Sequence, residues 1–389
     1  MGASGVPGGN GRRRRATGAG LMDFTPTQEQ RAARDLAARI FADLSTHDRL
    51  AAAGTGTDAE LWKALCAAGL VASVEETGLL GLVLLLEEQG RTTAQVPIAA
   101  TCVYGLLAVA ALGTPEQRAR LLPAIGAGAA VVAGAFPATG AIRADASGAL
   151  SGVAPVVPWL RGATHVLVAD ASPERALWLV ATGGGGGAAG VTVEEVDTTA
   201  PWAAGRLTLD GARGERLGGA DAADVQGGPQ APVGAYAFVL AVGRVAFAGL
   251  QAGVCAGSLA RAVAHTAQRE QFGRPLSANQ GVLLRAADAY MDIEAIRVTA
   301  YEAAWRHDER LPFATHALTA AWWASEAGQR VVHTGQHLHG GAGADLEHPV
   351  HRHFLWGRQL DSHLGSGGEV LEELGRALCS GQRQEGEAR

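Results

Sequence analysis

The stretch Arg-Glu-Gln-Phe-Gly-Arg-Pro-Leu-Ser-Ala-Asn-Gln, residues 269–280, brings charge, an aromatic ring, glycine and amide side chains together after a long apolar segment. That segment, from Tyr236 to Gln268, is nearly all Ala, Val, Leu and Gly, which predicts a helix buried on most of its sides. The polar cluster therefore emerges where a buried helix ends. A site that receives Arg269 and Phe272 would suit an anion and an aromatic ring, whereas a solvated arginine beside a core phenylalanine gives the same pattern.

The composition bounds the class of protein. The chain has 389 residues, of which 48% are hydrophobic and 18% charged, enough for a sizeable core and two or three domains of roughly 100 to 200 residues. A net charge of −6 argues against nucleic acid as the principal partner. The four cysteines are far apart and show no C-x-x-C pairing, so we expect buried thiols, no metal site and a cytoplasmic location.

Residues 1–21 form a leader rich in Gly, Ser and Arg, which includes the run Arg12 to Arg15. The leader lacks the apolar core that a secretion signal has after its basic region. We expect it to be disordered, and we expect the folded chain to begin near Met22.

A helical pattern covers residues 22–128, where apolar residues recur with a spacing near 3.6 between Gly, Pro and Thr positions. The apolar run Leu79 to Leu86 is shorter than the roughly 20 residues that cross a membrane, so no membrane segment is predicted. The predicted helices are Gln28 to Leu44, Ala59 to Leu70, Leu79 to Gly90, Val96 to Leu112 and Pro115 to Ile125.

From residue 129 to about residue 228 the pattern changes to short β-branched or alternating runs, which predict a middle antiparallel β domain that ends in a polar, Gly-rich linker, Gly218 to Pro232. Residues 229–389 return to long helices with apolar stripes, which predict a C-terminal four-helix bundle. The fold is therefore mainly α with a β insert. The predicted strands are Val131 to Phe136, Thr164 to Ala169, Ala176 to Ala181, Val191 to Val196 and Arg206 to Leu209. The predicted bundle helices are Tyr236 to Gln268, Ala278 to Asp308, Pro312 to Leu338 and Ser366 to Leu378.

Four motifs, in this order along the chain, resemble those of the acyl-CoA dehydrogenase family. The resemblance covers the chain from Met22 onward and implies an FAD-dependent flavoprotein with three domains in the order given above. The motifs are Leu-Gly-Thr-Pro-Glu-Gln-Arg-Ala-Arg-Leu-Leu-Pro at 112–123, Arg269-x-x-Phe272-Gly273 with Gln280, Gln336-x-x-His339-Gly340-Gly341-Ala342-Gly343, and His348-Pro349 with Arg352.

The resemblance also implies which residues bind the cofactor. In the family, the arginine, phenylalanine and glutamine of the first bundle motif clamp the FAD of a neighbouring subunit, and the Gln-x-x-Gly-Gly motif holds the adenosine diphosphate part. An arginine fork suits a pyrophosphate, and adjacent glycines let backbone N–H groups approach phosphate oxygens. These roles would fall to Arg269, Phe272, Gln280, Gln336, Gly340 and Gly341.

The catalytic glutamate of the family is missing from both positions where its members carry it. That glutamate removes the α-proton of an acyl-CoA while hydride leaves to the flavin. Leu364 stands at the first position, before Gly365, and Gly243 stands at the second, before Arg244. Asp361 and Glu369 flank the loop as weak substitutes, although Glu369 also suits the first turn of a helix.

The segment of the β domain that contacts the flavin also departs from the family. A typical member has Thr-Glu-Pro followed by Gly-Ser-Asp, whereas residues 135–140 here read Ala-Phe-Pro-Ala-Thr-Gly. Trp159 could stack beside a flavin, or it could be a core residue that precedes a strand.

Heterotetrameric acyl-CoA dehydrogenases of actinobacteria that degrade steroid side chains suggest one explanation. The chain resembles their base-lacking subunit, which completes the FAD site while a homologous subunit supplies the glutamate. An acyl-CoA substrate and electron-transfer flavoprotein as a further partner would follow. Three alternatives stay open: a self-sufficient homotetramer with a relocated base, a non-catalytic scaffold on the same fold, and an acyl-CoA dehydrogenase-like enzyme with different chemistry.

Overall fold

A computed structural model describes residues 22–184, 187–218, 234–271 and 273–387 of the chain, with side chains as far as Cys379. The predicted leader, Phe272 and nearly all of the predicted linker lie outside the described residues. Within the described ranges the chain is mainly helical with one β insert, which confirms the predicted fold class.

The N-terminal part is helical. Helix α1 begins at a capping box, in which the Thr27 hydroxyl accepts from the Gln30 N–H and the Gln30 side chain accepts from the Thr27 N–H. A π-helical segment, Thr101–Leu107, separates α5 from α6, so the run predicted as one helix is observed in three pieces. The short helix α2 was not predicted. The helices are α1 Gln28–Leu44, α2 His47–Ala53, α3 Ala59–Ala67, α4 Val74–Thr92, α5 Ile98–Ala100, α6 Ala108–Leu112 and α7 Pro115–Gly126.

The β insert is a seven-stranded sheet in the order β1-β4-β5-β7-β3-β2, with β6 also paired to β7. The prediction of a purely antiparallel sheet is wrong in one place, because β1 and β4 pair in parallel. Strand β3 was missed because Gly152 and Pro155 suggest turns, and the strand accommodates them at irregularities in its register with β7. The strands are β1 Val132–Gly134, β2 Arg143–Ala144, β3 Ala149–Val157, β4 His165–Ala169, β5 Leu177–Ala181, β6 Val191–Glu195 and β7 Gly205–Leu217.

The C-terminal part is a helical bundle around α8. Helix α8 approaches α4 of the N-terminal part so closely that a Cβ on Gly253 would lie 2.1 Å from the carbonyl oxygen of Glu87. Helix α11 was missed, because its sequence is crowded with His and Arg. The helices are α8 Ala235–Gln268, α9 Gln280–Asp308, α10 Ala314–Leu338, α11 Pro349–Leu360 and α12 Gly367–Glu387.

Helix α8 is long and apolar enough to cross a membrane by length and composition alone. However, 94% of its most apolar window is buried inside the protein. Its apolar surface therefore packs against other parts of the fold, and α8 is a core helix.

Candidate functional site

Gly243 and Leu364, the two positions from which a glutamate would act, lie next to each other. A Cβ on Gly243 would lie 3.3 Å from Cδ1 of Leu364, 3.6 Å from Cγ1 of Val103 and 3.7 Å from the hydroxyl oxygen of Tyr104. Leu364 is buried, with 6% of its surface exposed. The place where the family carries its base is therefore closed by apolar contacts.

The buried Arg244 holds the loop that carries Leu364. Its Nε donates to the Leu364 carbonyl (3.3 Å), and its two terminal nitrogens donate to the two carboxylate oxygens of Glu373 on α12 (2.9 and 2.7 Å). Sequence reasoning missed Glu373, because it lies 129 residues from Arg244 along the chain. Both carboxylate oxygens of Glu373 bind the guanidinium, so this acid is engaged in holding the loop.

Three aromatic rings, which we call the aromatic column, stack in a row that begins at Tyr104, whose hydroxyl lies beside Gly243. Tyr104 stacks on Phe136 with ring centroids 5.0 Å apart, and Phe136 stacks on Tyr236 at 5.3 Å. A Cβ on Gly134 would lie 2.4 Å from the Tyr104 ring, so the absence of a side chain there makes room for the tyrosine. The Tyr104 hydroxyl is buried without a hydrogen-bond partner among the described residues, and burial raises the pKa of this phenol.

Asp361 and Glu369, the two weak substitutes for the base, have other partners. Asp361 is half-buried at the end of α11 and forms an ion pair with Arg358 (2.6 Å), while desolvation raises its pKa. Glu369 accepts hydrogen bonds from the backbone N–H and the hydroxyl of Ser366 (2.9 and 2.8 Å), which lower its pKa. Glu369 therefore caps the start of α12.

His363, beside Leu364, is a further residue that sequence reasoning missed. Its ring packs against Phe247 and Trp202, with centroids 4.5 and 5.6 Å away, and its Nε2 has no partner among the described residues. Burial lowers the pKa of His363 to about 4, so the imidazole is neutral at pH 7. Taking up a substrate proton would create the cation that this environment disfavours, which makes His363 a poor base.

The segment that would face a flavin ring borders a cavity of about 460 Å³ between the β insert and the end of α11. The cavity is lined by residues 135–142 together with Thr198, Gln359 and Ser362, among others. Trp159 does not line it. Its ring stacks on Trp202 at 5.9 Å and is only 2% exposed, so Trp159 is a core residue and is not available to stack on a flavin.

Arg269 and Gln280 lie at the two ends of the turn that joins α8 to α9. Arg269 is the C-cap of α8, and Gln280 is the first residue of α9. Both side chains are exposed, and within the described ranges neither has a hydrogen bond or an ion pair. Phe272 lies outside the described residues. The turn therefore offers an uncommitted guanidinium and an uncommitted amide.

Gln336 shapes the glycine turn that follows α10. Its Nε2 donates to the Gly343 carbonyl (3.0 Å), and a Cβ on Gly343 would lie 2.3 Å from the Gln336 carbonyl oxygen. Gly340 has φ 61°, and a Cβ at Gly340 or Gly341 would meet no described atom within 4 Å. The backbone at these two glycines is thus open to an approaching phosphate oxygen.

The two parts of the predicted clamp meet through a pair of histidines. His265 lies one turn before Arg269, His339 immediately precedes Gly340, and their rings stack with centroids 4.7 Å apart. The guanidinium, the side-chain amides and the open glycine backbone all offer N–H donors, and pyrophosphate oxygens accept such hydrogen bonds. These groups therefore fit the adenosine diphosphate part of FAD.

Two family models match more than half of the chain. The family model of the acyl-CoA dehydrogenase N-terminal domain matches residues 27–129, and that of the C-terminal domain matches residues 235–376. The chain is 33% identical to acyl-CoA dehydrogenase FadE27 of Mycobacterium tuberculosis, over 92% of this chain and 99% of that protein.

Two solved structures are also similar along the whole chain. One is a variant of the Tcur3481-Tcur3483 steroid ACAD, at 38% identity and a TM-score of 0.83. The other is the ChsE4-ChsE5 complex from Mycobacterium tuberculosis, at 30% identity and a TM-score of 0.82. Each likeness covers 92% of this chain and 99% of the compared chain.

Proposed function

The chain belongs to the acyl-CoA dehydrogenase family, and from this premise we propose that it is the subunit that clamps FAD while a homologous subunit supplies the base. Members of the family bind FAD and are oxidoreductases that act on CH–CH donors. The reaction we propose for the assembly is the α,β-desaturation of an acyl-CoA thioester.

The observation that carries this proposal is the closed contact between Gly243 and Leu364. Removal of the α-proton needs a carboxylate within hydrogen-bond reach of the substrate. The atoms nearest to a Cβ on Gly243 belong to Leu364, Val103 and Tyr104, and none of these side chains can take that proton. A partner with a glutamate in place would supply the missing base.

The clamp gives this chain its role in the assembly. Arg269, Phe272 and Gln280 would bind the FAD of the neighbouring subunit, and Gln336, Gly340 and Gly341 would hold its adenosine diphosphate part. When bound, FAD accepts the hydride that leaves the β-carbon of the thioester. The exposed Arg269 guanidinium would neutralise phosphate charge and fix the register of the dinucleotide.

The substrate class and the partner are proposed from the solved relatives. The Tcur3481-Tcur3483 protein is described as a steroid ACAD, and ChsE4-ChsE5 is described as a complex of two named components. We extend both properties to this chain, so the substrate is a steroid side-chain thioester and the assembly is a heterotetramer. Electron-transfer flavoprotein as the electron acceptor and a cytoplasmic location complete the proposal.

Purification of the chain alone and together with a co-encoded homologue tests the proposal. We expect the isolated chain to retain little FAD and to show no dehydrogenation, and we expect the co-purified complex to show both. Full flavin content and turnover from the isolated chain would establish the self-sufficient homotetramer instead. A colourless complex would establish the scaffold.

An Arg269→Ala variant of the complex tests the clamp itself. Loss of charge-assisted hydrogen bonds worth about 1.5–3 kcal/mol should weaken FAD binding by about 10- to 100-fold. Arg274→Ala, in the same turn, is the matched control and should bind FAD as the unmodified complex does. Equal FAD affinities for the two variants would remove Arg269 from the clamp.

A further inference from the structure

Three histidines from three separate elements form a row of rings beside the proposed clamp, which we call the histidine stack. His265 belongs to α8, His339 follows α10, and His348 precedes α11. The rings of His265 and His339 stack with centroids 4.7 Å apart, and the His348 ring meets His339 edge-on, at 4.9 Å and an interplanar angle of 61°. The stack therefore connects three chain segments that are separate in sequence.

His339 is the fixed centre of the stack. It is buried, and its Nδ1 is 2.7 Å from the carbonyl oxygen of Gly335. A carbonyl only accepts, so Nδ1 carries the proton that is donated there. The backbone then continues directly into Gly340 at φ 61°, so the position of the His339 ring determines where the open glycine turn lies.

His265 connects this centre to the arginine of the clamp. The backbone N–H of Arg269 donates to the His265 carbonyl (2.8 Å), which places the two residues one helical turn apart. The His265 ring lies at an interplanar angle of 26° to the His339 ring, which is close to parallel. Contact between these two rings thus sets the separation of Arg269 from Gly340.

His348 holds the third segment only in its neutral form. Its Nδ1 accepts a hydrogen bond from the backbone N–H of Val350 (3.2 Å), which makes His348 the N-cap of α11. A proton on that nitrogen would remove the acceptor and would put a positive charge at the start of the helix, where the macrodipole opposes it. The cap and the protonated ring are therefore incompatible.

The surroundings of His265 and His348 favour their neutral forms. Desolvation first, then the neighbouring His339 and then an arginine lower the pKa of each, with Arg269 acting on His265 and Arg261 acting on His348. His265 also lowers the pKa of His348, and Asp345, in the loop before α11, acts in the opposite direction. A base whose pKa is lowered on folding contributes its stability above the unfolded pKa of about 6.5 and loses it as the pH falls below that value.

We propose that His265 and His348 are positioning residues that hold the two parts of the FAD clamp in register through His339, and that protonation of His265 and His348 weakens this contact. This inference rests on the proposed function of the clamp. It adds two residues that act on the clamp through His339, and it predicts that FAD retention depends on pH through them.

The test uses the complex with the flavin-bearing homologue and follows FAD release by absorbance after dilution. At about pH 8, His265→Ala should speed FAD release about 5-fold or more, because the ring contact is lost, whereas His265→Phe keeps an aromatic ring and should release FAD at the unmodified rate. His47→Phe, an exposed histidine on α2, is the matched control. Size-exclusion chromatography verifies that each variant assembles.

The pH profile separates positioning from general structural support. Between about pH 8 and pH 5.5 the unmodified complex and His47→Phe should lose FAD about 5-fold faster, and the His265→Phe, His348→Asn double variant should show a flatter profile. Asparagine retains a side-chain cap for α11 without titrating. An identical acid response in the double variant, or tighter FAD retention at low pH in the unmodified complex, would overturn the proposal.

The Arg269→Ala variant shows whether a negative result contradicts the clamp or only the positioning role of the histidines. If Arg269→Ala and His265→Ala both leave FAD release unchanged, the clamp itself is wrong. If Arg269→Ala speeds release and His265→Ala does not, the clamp stands and the positioning role of the stack is wrong.

Discussion

Gly243 and Arg269 lie on the same helix, α8, about 40 Å apart at 1.5 Å per residue, and they represent opposite outcomes. Around Gly243 the helix is buried against Leu364, Val103 and the aromatic column. At Arg269 the helix ends with an exposed and uncommitted guanidinium. The same helix is therefore closed by packing at one place and ends in an exposed guanidinium at another.

Packing explains why the two regions differ in what they tolerate. A carboxylate placed in the closed region would lose its water and gain no cationic partner among the atoms nearest to Gly243, where the Tyr104 hydroxyl is the one polar group, and this is costly. A change at the clamp meets open space, so it affects binding with little effect on folding. Substitutions at matched glycines, Gly243 and Gly341, measure this difference directly.

The largest expected change in stability is that caused by Gly243→Glu. A carboxylate pushed against Leu364 and Val103 should lower the free energy of unfolding by about 3–5 kcal/mol, because the charge is buried without a cationic partner. Chemical denaturation of the isolated chain measures it. The matched variant Gly243→Ala should change stability by about 1 kcal/mol or less, because its Cβ meets only the movable end of Leu364 at 3.3 Å.

Gain of turnover by the Gly243→Glu chain alone, at unchanged stability, would contradict this prediction. It would mean that the region beside Gly243 opens readily and that only the base is missing.

Acid should destabilise the closed region next most strongly, through His363. Its folded pKa of about 4 is below the ordinary value of 6.5. The neutral ring contributes stability above about pH 6.5, and this stability is lost as the pH falls towards 4, by up to about 3 kcal/mol. Denaturation midpoints of His363→Phe should be less dependent on pH over that window than those of the control His47→Phe. Parallel pH profiles for the two variants would show that protonation of His363 does not destabilise the folded chain.

The smallest effect on stability should be at the clamp. Gly341→Ala places a methyl group where no described atom lies within 4 Å, so the free energy of unfolding should change by about 0.5 kcal/mol or less. FAD binding by the complex should nevertheless weaken about 3- to 10-fold, because the methyl group keeps phosphate oxygens away from the backbone.

Gly368→Ala, an exposed glycine with equally open space around its Cβ, is the control and should change neither property. A loss of stability at Gly341 as large as that at Gly243→Glu would erase the distinction between the two regions.

The sequence predicts those features of this protein that depend on residues close together in the chain, and it misses those that depend on contacts between distant segments. The clamp could be proposed from the sequence because Arg269, Gln280 and the glycine turn belong to short motifs, and it stays a prediction. Strand β3 was missed because Gly152 and Pro155 are typical of turns. The strand nevertheless contains both residues, at shifts in its register with β7. The sequence allows two roles for Trp159, flavin contact and core packing, because only the packing of its ring on Trp202 distinguishes them.

The sequence by itself determined the family, the order of helical and β parts and the absence of a glutamate at Gly243 and Leu364, because residue identity within a local motif carries all three. Only the tertiary structure decided that these two positions close on each other, that the Tyr104 hydroxyl lies beside Gly243 and that the rings of three histidines from separate segments contact one another. Such contacts form between segments far apart in the chain, and they depend on how whole helices pack. No local spacing encodes that packing.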